Sequence, residues 1–247
     1  VDFDNAAGHL HHVLSVLKTQ PSEVLGTAWS ELLGIDLDDR AALFRAIAAV
    51  AELPDLAVKQ IEATPGVTLE LYTRWRAPVH AAMQRAHLLE QQAQQMVAHY
   101  SETHLAYLEV CAERIAQHGT ALRVNDDALA EARGLADEVL ELLREATELP
   151  AEVRELLVRH ATALRTALDL ADVLGGQAIQ DAVAGVIGAV ALAERASTSA
   201  RQSKSVQRLW EVLDRFTRLT NLVTGTAGAV DELAPAVEHV IRQITSG

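Results

Sequence analysis

Cysteine is almost missing from this chain: Cys111 is the only one in 247 residues. No disulfide can close within the chain, and no cysteine-based zinc site can be assembled. A lone thiol fits a reducing compartment, so the expected location is cytoplasmic. Aromatic residues make up only 4% of the sequence, too few for a strand-rich core, while alanine and leucine are abundant. That balance favours helix nearly everywhere. Lysine is confined to Lys18, Lys59 and Lys204, so arginine carries most of the positive charge. With so much alanine, this usage points to a GC-rich bacterial genome. The net charge is −13, with a local basic run at Arg195, Arg201, Lys204 and Arg208. General binding to nucleic acid or to an anionic membrane is still not expected of so acidic a chain, because phosphate contact needs grouped Lys and Arg.

Other absences narrow the chemistry. The opening residues VDFDNAAGHLHH contain no basic stretch followed by an apolar core, so no secretory signal is read there. No window reaches about 18 uninterrupted apolar residues, so no ordinary membrane span is expected. There is no HExxH motif and no Glu-x-x-His pair of the di-iron bundle kind. Gly175-Gly176 follows no strand-like run and precedes no Gly-Lys-Ser/Thr, so it reads as a helix break and not as a phosphate loop. No solenoid-type repeat recurs.

What is present is helical periodicity. The most continuous stretch runs from 78 to 118, with no glycine and with Pro78 at its start. Val79, Met83, Ala86, Leu89, Ala93, Met96, Tyr100, Tyr107, Cys111 and Ile115 recur at steps of three and four. This predicts one long helix of about 60 Å as the organiser of the fold. The fold class expected is all-α: an elongated antiparallel bundle built on that helix and preceded by a cluster of short helices.

The cluster is placed at residues 1–64. Its first helix spans 5–18 and stops at Gln20-Pro21. Ser22 is the expected cap of the second, and Gly34 its end. A third begins at Asp36 or Asp38 and stops at Leu53-Pro54, with a shorter fourth reaching Ala63. Thr64-Pro65-Gly66 is read as a subdomain boundary. Such spacing also occurs in helix-turn-helix DNA readers, but Arg40 and Arg45 are isolated bases. Residues 65–247 form the expected bundle: helices at 126–148 and 150–174, an apolar Gly/Ala-rich helix at 177–194, then 206–223 and 230–244.

Candidate sites are weighed against plainer roles. His9, His11 and His12 are the densest group of potential metal ligands, but three histidines on a short solvated helix lack a further ligand, and no metal is assigned. His104 and His160 fall on apolar stripes and are expected to be largely buried as satisfied core histidines, in positions that could face each other across the bundle. Cys111 shares the His104 stripe without an orienting acid or oxyanion donors, so it reads as an inert thiol. The glutamines at 91–95 read as a polar helix face. Neither a catalytic residue nor a cofactor site is assigned.

The unusual segment is 182–193, which carries no charged or polar side chain. Small residues there (Ala182, Gly185, Gly188, Ala189, around Val186) allow close approach between helices. As a core helix it should be buried on all sides. The expected function is a non-enzymatic scaffold or regulatory protein acting through a protein partner, with room for a homodimer. The alternative is a membrane-active effector, of toxin or defence type, whose 177–230 region enters a bilayer on a trigger.

Overall fold

A computed structural model describes residue 3, residues 5–118 and residues 126–224. The chain is all-helical, as its composition predicts. Among the described residues there is no strand, only one antiparallel bridge between Val24 and Gln92. The chain forms two compact units, one of Val1–Ala121 with Asp172–Gly175, the other of Leu122–Ala171 with Gly176–Gly247. The first unit thus continues well past the turn at Thr64-Pro65-Gly66.

In the first unit, α1 (Ala6–Thr19) is capped by Asn5, whose side chain accepts from the Gly8 N–H. The same Asn5 donates to the Ala112 carbonyl at 3.0 Å, and Lys18 pairs with Glu102 at 2.9 Å. These two contacts fix α1 antiparallel to α7 (Glu102–Ala116). α2 (Leu25–Leu33) ends at Gly34, which takes the left-handed conformation (φ 64°) that glycine tolerates best.

α3 (Arg40–Glu62) starts after Asp39, whose carboxylate accepts from Ala42 N–H at 2.9 Å. It does not stop at Pro54, as expected, but runs through it. Proline removes one backbone bond. The apolar stripe nonetheless keeps its phase across it, with Ile47, Val50, Leu53, Ala57, Val58 and Ile61 all buried.

The expected organiser helix over 78–118 does not form. Its place is taken by α5 (Arg76–Met83), a non-helical crossing, α6 (Ala93–Val97) and α7, with the one-turn α4 (Leu69–Tyr72) before them. The crossing exists because α2 needs it. Val24, at the N-cap of α2, offers no side-chain acceptor. The first-turn N–H groups of a helix must find carbonyls somewhere. Leu25 N–H donates to the Gln91 carbonyl at 2.7 Å, and Gly26 N–H to the Leu89 carbonyl at 2.9 Å. Gly26 permits this approach, since a Cβ there would stand 3.1 Å from the Leu89 oxygen. The buried Trp29 indole donates to the Ala86 carbonyl at 3.1 Å. In return, Ala93 and Gln94 N–H groups bond the carbonyls of Glu23 and Pro21. The second break is at Ser101, which caps α7, and there the buried Tyr100 hydroxyl donates to the Leu14 carbonyl at 2.7 Å.

The described helices of the second unit share one hydrophobic core. α8 (Asp126–Glu145) and α9 (Ala151–Asp169) are antiparallel: Arg165 bonds Asp137 at 2.7 Å, and one turn along Arg133 donates to the Leu168 carbonyl at the C-terminal end of α9. α12 (Lys204–Thr224) returns antiparallel to α8, with Ser203 on Glu148 at one end and Arg215 on Glu138 at the other. α10 (Ala171–Ala196) bends at Gly175 (φ 74°, ψ 175°), where the Gly-Gly pair predicts a break, and α11 (Thr198–Gln202) turns the corner into α12. α12 spans the stretch 206–223, and its Val206, Leu209, Leu213 and Phe216 are buried in the core of this unit. The 230–244 helix lies outside the described residues.

Candidate functional site

α10 is the element with chemistry left over. Its inner face buries Ile179, Val183, Val186, Ile187, Val190 and Ala193 in the core of the second unit. The outer face is different. Asp181, Gly188, Leu192 and Arg195 are exposed, with Leu192 showing 58% of its surface. Of the segment singled out from sequence, Val186 and Ala189 are buried, Ala182 and Gly185 are half-buried, and Gly188 faces out. The expectation of burial on all sides is thus corrected. The segment 182–193 is apolar all round, but the core of the unit covers only its inner side.

The two glycines differ. A Cβ on Gly185 would stand 3.1 Å from His160 Nδ1, so that glycine admits the imidazole of α9. A Cβ on Gly188 would meet nothing within 4 Å. By length and composition, Ala171–Arg195 could cross a bilayer, with a mean hydropathy of 1.4 over its most apolar window. Counting uninterrupted apolar residues missed this, because glycines, glutamines and single acids interrupt the run without lowering the average far.

The last turn of α10 holds a residue that sequence reading passed over. Glu194 is 8% exposed, and its Oε1 accepts from the Trp210 indole at 3.0 Å. Burial raises its pKa, while Trp210 and the Arg201 guanidinium pull it partly back. A signal existed. Glu194 continues the 183-186-190 spacing of the buried face, and a buried tryptophan N–H needs an acceptor. Nearby, Glu148 has a pKa lowered to about 2 by hydrogen bonds from Ser205 and Ser203, with the Ser203 hydroxyl at 2.8 Å. These two carboxylates fasten the α10–α12 end of the bundle.

The other candidates are placed as follows. His104 and His160 are both half-buried, not largely buried, and they belong to different units. His104 Nδ1 accepts from the Ser101 N–H at 3.1 Å as part of a capping box, which draws it to the helix end and away from the core. Cys111 is fully buried, and burial pushes its thiol up to about 11, against a smaller opposing effect of Trp75. A thiol so held is a poor nucleophile. His9, His11 and His12 all lie on α1. Burial lowers the pKa of His11, opposed by the nearby Glu109. Among the described residues, no three His, Cys, Asp or Glu side chains converge as metal ligands would. The glutamines at 91–95 do not share a helix face: Gln91 and Gln92 belong to the crossing, and Gln94 and Gln95 to α6.

Comparison with protein families, with curated proteins and with solved structures finds no match.

Proposed function

We propose that this protein is a non-enzymatic helical scaffold or regulator that engages a protein partner through the outward face of α10. The observation that carries the reading is the make-up of that face. The exposed positions of α8 include Glu131, Glu141 and Glu145, those of α9 Glu155 and Arg159, and those of α12 Arg208, Glu211 and Arg218. Between Asp181 and Arg195 the outer side of α10 carries no charge at all, and it leaves Leu192 exposed. A water-facing helix side without charge over three turns gains by being covered. The commitment of His104 to a helix cap and the burial of Cys111 support a role without catalysis.

The test is site-specific photocrosslinking. A photoreactive residue in place of Leu192, in cells that produce the protein, should give discrete protein adducts. Adding Gly188→Arg on the same face should remove them. Absence of adducts, or adducts that ignore Gly188→Arg, would count against the reading.

One observation favours a second reading, a membrane-active effector. Ala171–Arg195 is 25 residues long, and 56% of its most apolar window is buried. Leakage from dye-loaded liposomes, with and without anionic lipid, tests it. Leakage by the full chain would favour insertion, and intact vesicles would leave the partner-binding reading in place.

A further inference from the structure

We infer that the partner seated on this face is a second copy of the same chain, with the two α10 helices antiparallel about a two-fold axis at Gly188. The inference rests on the reading of the α10 face as an interaction surface and names its occupant.

Asp181, Gly188 and Arg195 are all exposed and stand seven residues apart. Seven residues are within about 20° of two full turns, so the three share one stripe. The stripe carries a negative charge at one end, a positive charge at the other and a glycine midway. Laid antiparallel on itself about Gly188, it sets each Asp181 against Arg195 of the other copy, once at each end. A parallel arrangement would set Asp181 against Asp181 and Arg195 against Arg195. The charge order therefore selects the antiparallel, isologous pairing, in which one patch meets itself. Among the described residues neither Asp181 nor Arg195 is in an ion pair. The side-chain hydrogen bond of Asp181 comes from Gln177 on the same helix, at 3.0 Å.

The positions between the charges agree with this geometry. The same two-fold puts the exposed Leu192 opposite Ala184 of the other copy, a large side chain over a small one. Gly188 gives an independent argument. A glycine inside a helix costs stability relative to alanine. Gly185 is accounted for within the chain by His160, whereas a Cβ at Gly188 would touch nothing in its own chain. A second backbone crossing at the axis is what that glycine would admit, as in small-residue helix crossings. A single pair of helices of this length makes a small interface, so the dimer is reversible and concentration-dependent.

Sedimentation of the full chain over a concentration series tests the inference. A monomer–dimer equilibrium is expected. Asp181→Arg alone and Arg195→Asp alone should each weaken it about tenfold, since every reversal turns two attractive pairs into two repulsive ones. The double variant Asp181→Arg with Arg195→Asp should restore it, which a misfolded chain could not do. Gly188→Arg sets two like charges at the axis and should abolish the dimer while keeping the melting temperature, because arginine is a better helix former than glycine and has open space here. A chain that is monomeric at every concentration, a double swap that fails to rescue, or a dimer that survives Gly188→Arg would overturn the proposal. If the chain is monomeric yet Leu192 still crosslinks to another protein in cells, the second copy is refuted and the face remains an interaction surface. If neither is seen, both readings fall.

Discussion

The buried Glu194–Trp210 pair gives the most quantitative prediction. Glu194 is 8% exposed, Trp210 is 7% exposed, and one hydrogen bond of 3.0 Å joins them. Burial raises the Glu194 pKa above its ordinary value of 4.5. A raised carboxylate pKa means that the folded state holds its proton more tightly than the unfolded state. The contribution of this group to stability is therefore full below pH 4.5 and declines as pH rises through the folded pKa. Glu194→Gln removes that titration and keeps an oxygen that accepts from the indole. The variant should match the wild type near pH 4 and exceed it at pH 8. Trp210→Phe strands the acceptor. With a charged Glu194 the loss should be about 1.5–3 kcal/mol, and in the Glu194→Gln background about 0.5–1.5 kcal/mol, the usual difference between charge-assisted and neutral bonds. The double-mutant cycle should thus show a coupling of roughly 1 kcal/mol at pH 8. Because the chain has two units, the assay is native-state hydrogen exchange of peptides from α10 and α12, which reports their opening separately from that of α1 and α3. Equal penalties for Trp210→Phe in both backgrounds, or no gain from Glu194→Gln at pH 8, would refute the argument.

Three further outcomes follow from the same structure. The depressed pKa of Glu148, near 2, is stabilising above pH 4.5 and is lost as pH falls toward 2, so Glu148→Gln should flatten the acid limb of the stability profile, and an unchanged limb would contradict it. Trp29→Phe leaves the Ala86 carbonyl without its buried donor and should cost at least about 1–3 kcal/mol, with faster amide exchange across 84–92; normal exchange there would mean that the crossing is held by something else. Leu164→Ala, at a fully buried position of α9, should cost roughly 2–5 kcal/mol and loosen the second unit, while an unaltered melt would mean that the α9 stripe is not core.

Much of the fold was readable from the residues. The all-helical class followed from composition. The Gly34 stop and the bend at Gly175 followed from single residues whose backbone preferences are local. Of the stripe read over 78–118, Val79, Met83, Ala86, Leu89, Ala93, Met96, Tyr100, Cys111 and Ile115 are core, whereas Tyr107 is half-buried and its hydroxyl meets Arg74. The continuity of the stripe was wrong. Periodicity reports which residues are buried, and it is silent on whether the backbone between them stays helical. Here the backbone leaves the helix to serve α2, through Trp29, Gly26 and carbonyls that carry no sequence label. Pro54 misled in the opposite direction, since a local breaker was overridden by a stripe buried on both sides of it. On α10 the apolar character was legible, but its one-sided burial was not, because that depends on how many helices surround it. His104 was misplaced because a histidine three residues after a serine can serve a cap as readily as a core.

The central claim is that the outer face of α10 is an interaction surface, and crosslinking from position 192 tests it most directly. With a photoreactive residue replacing Leu192 in producing cells, the account expects discrete protein adducts that disappear when Gly188→Arg is added. A matching probe at the exposed, charged Glu155 of α9 should give none. Equal labelling from positions 192 and 155, adducts to lipid alone, or no adducts from 192 would contradict it.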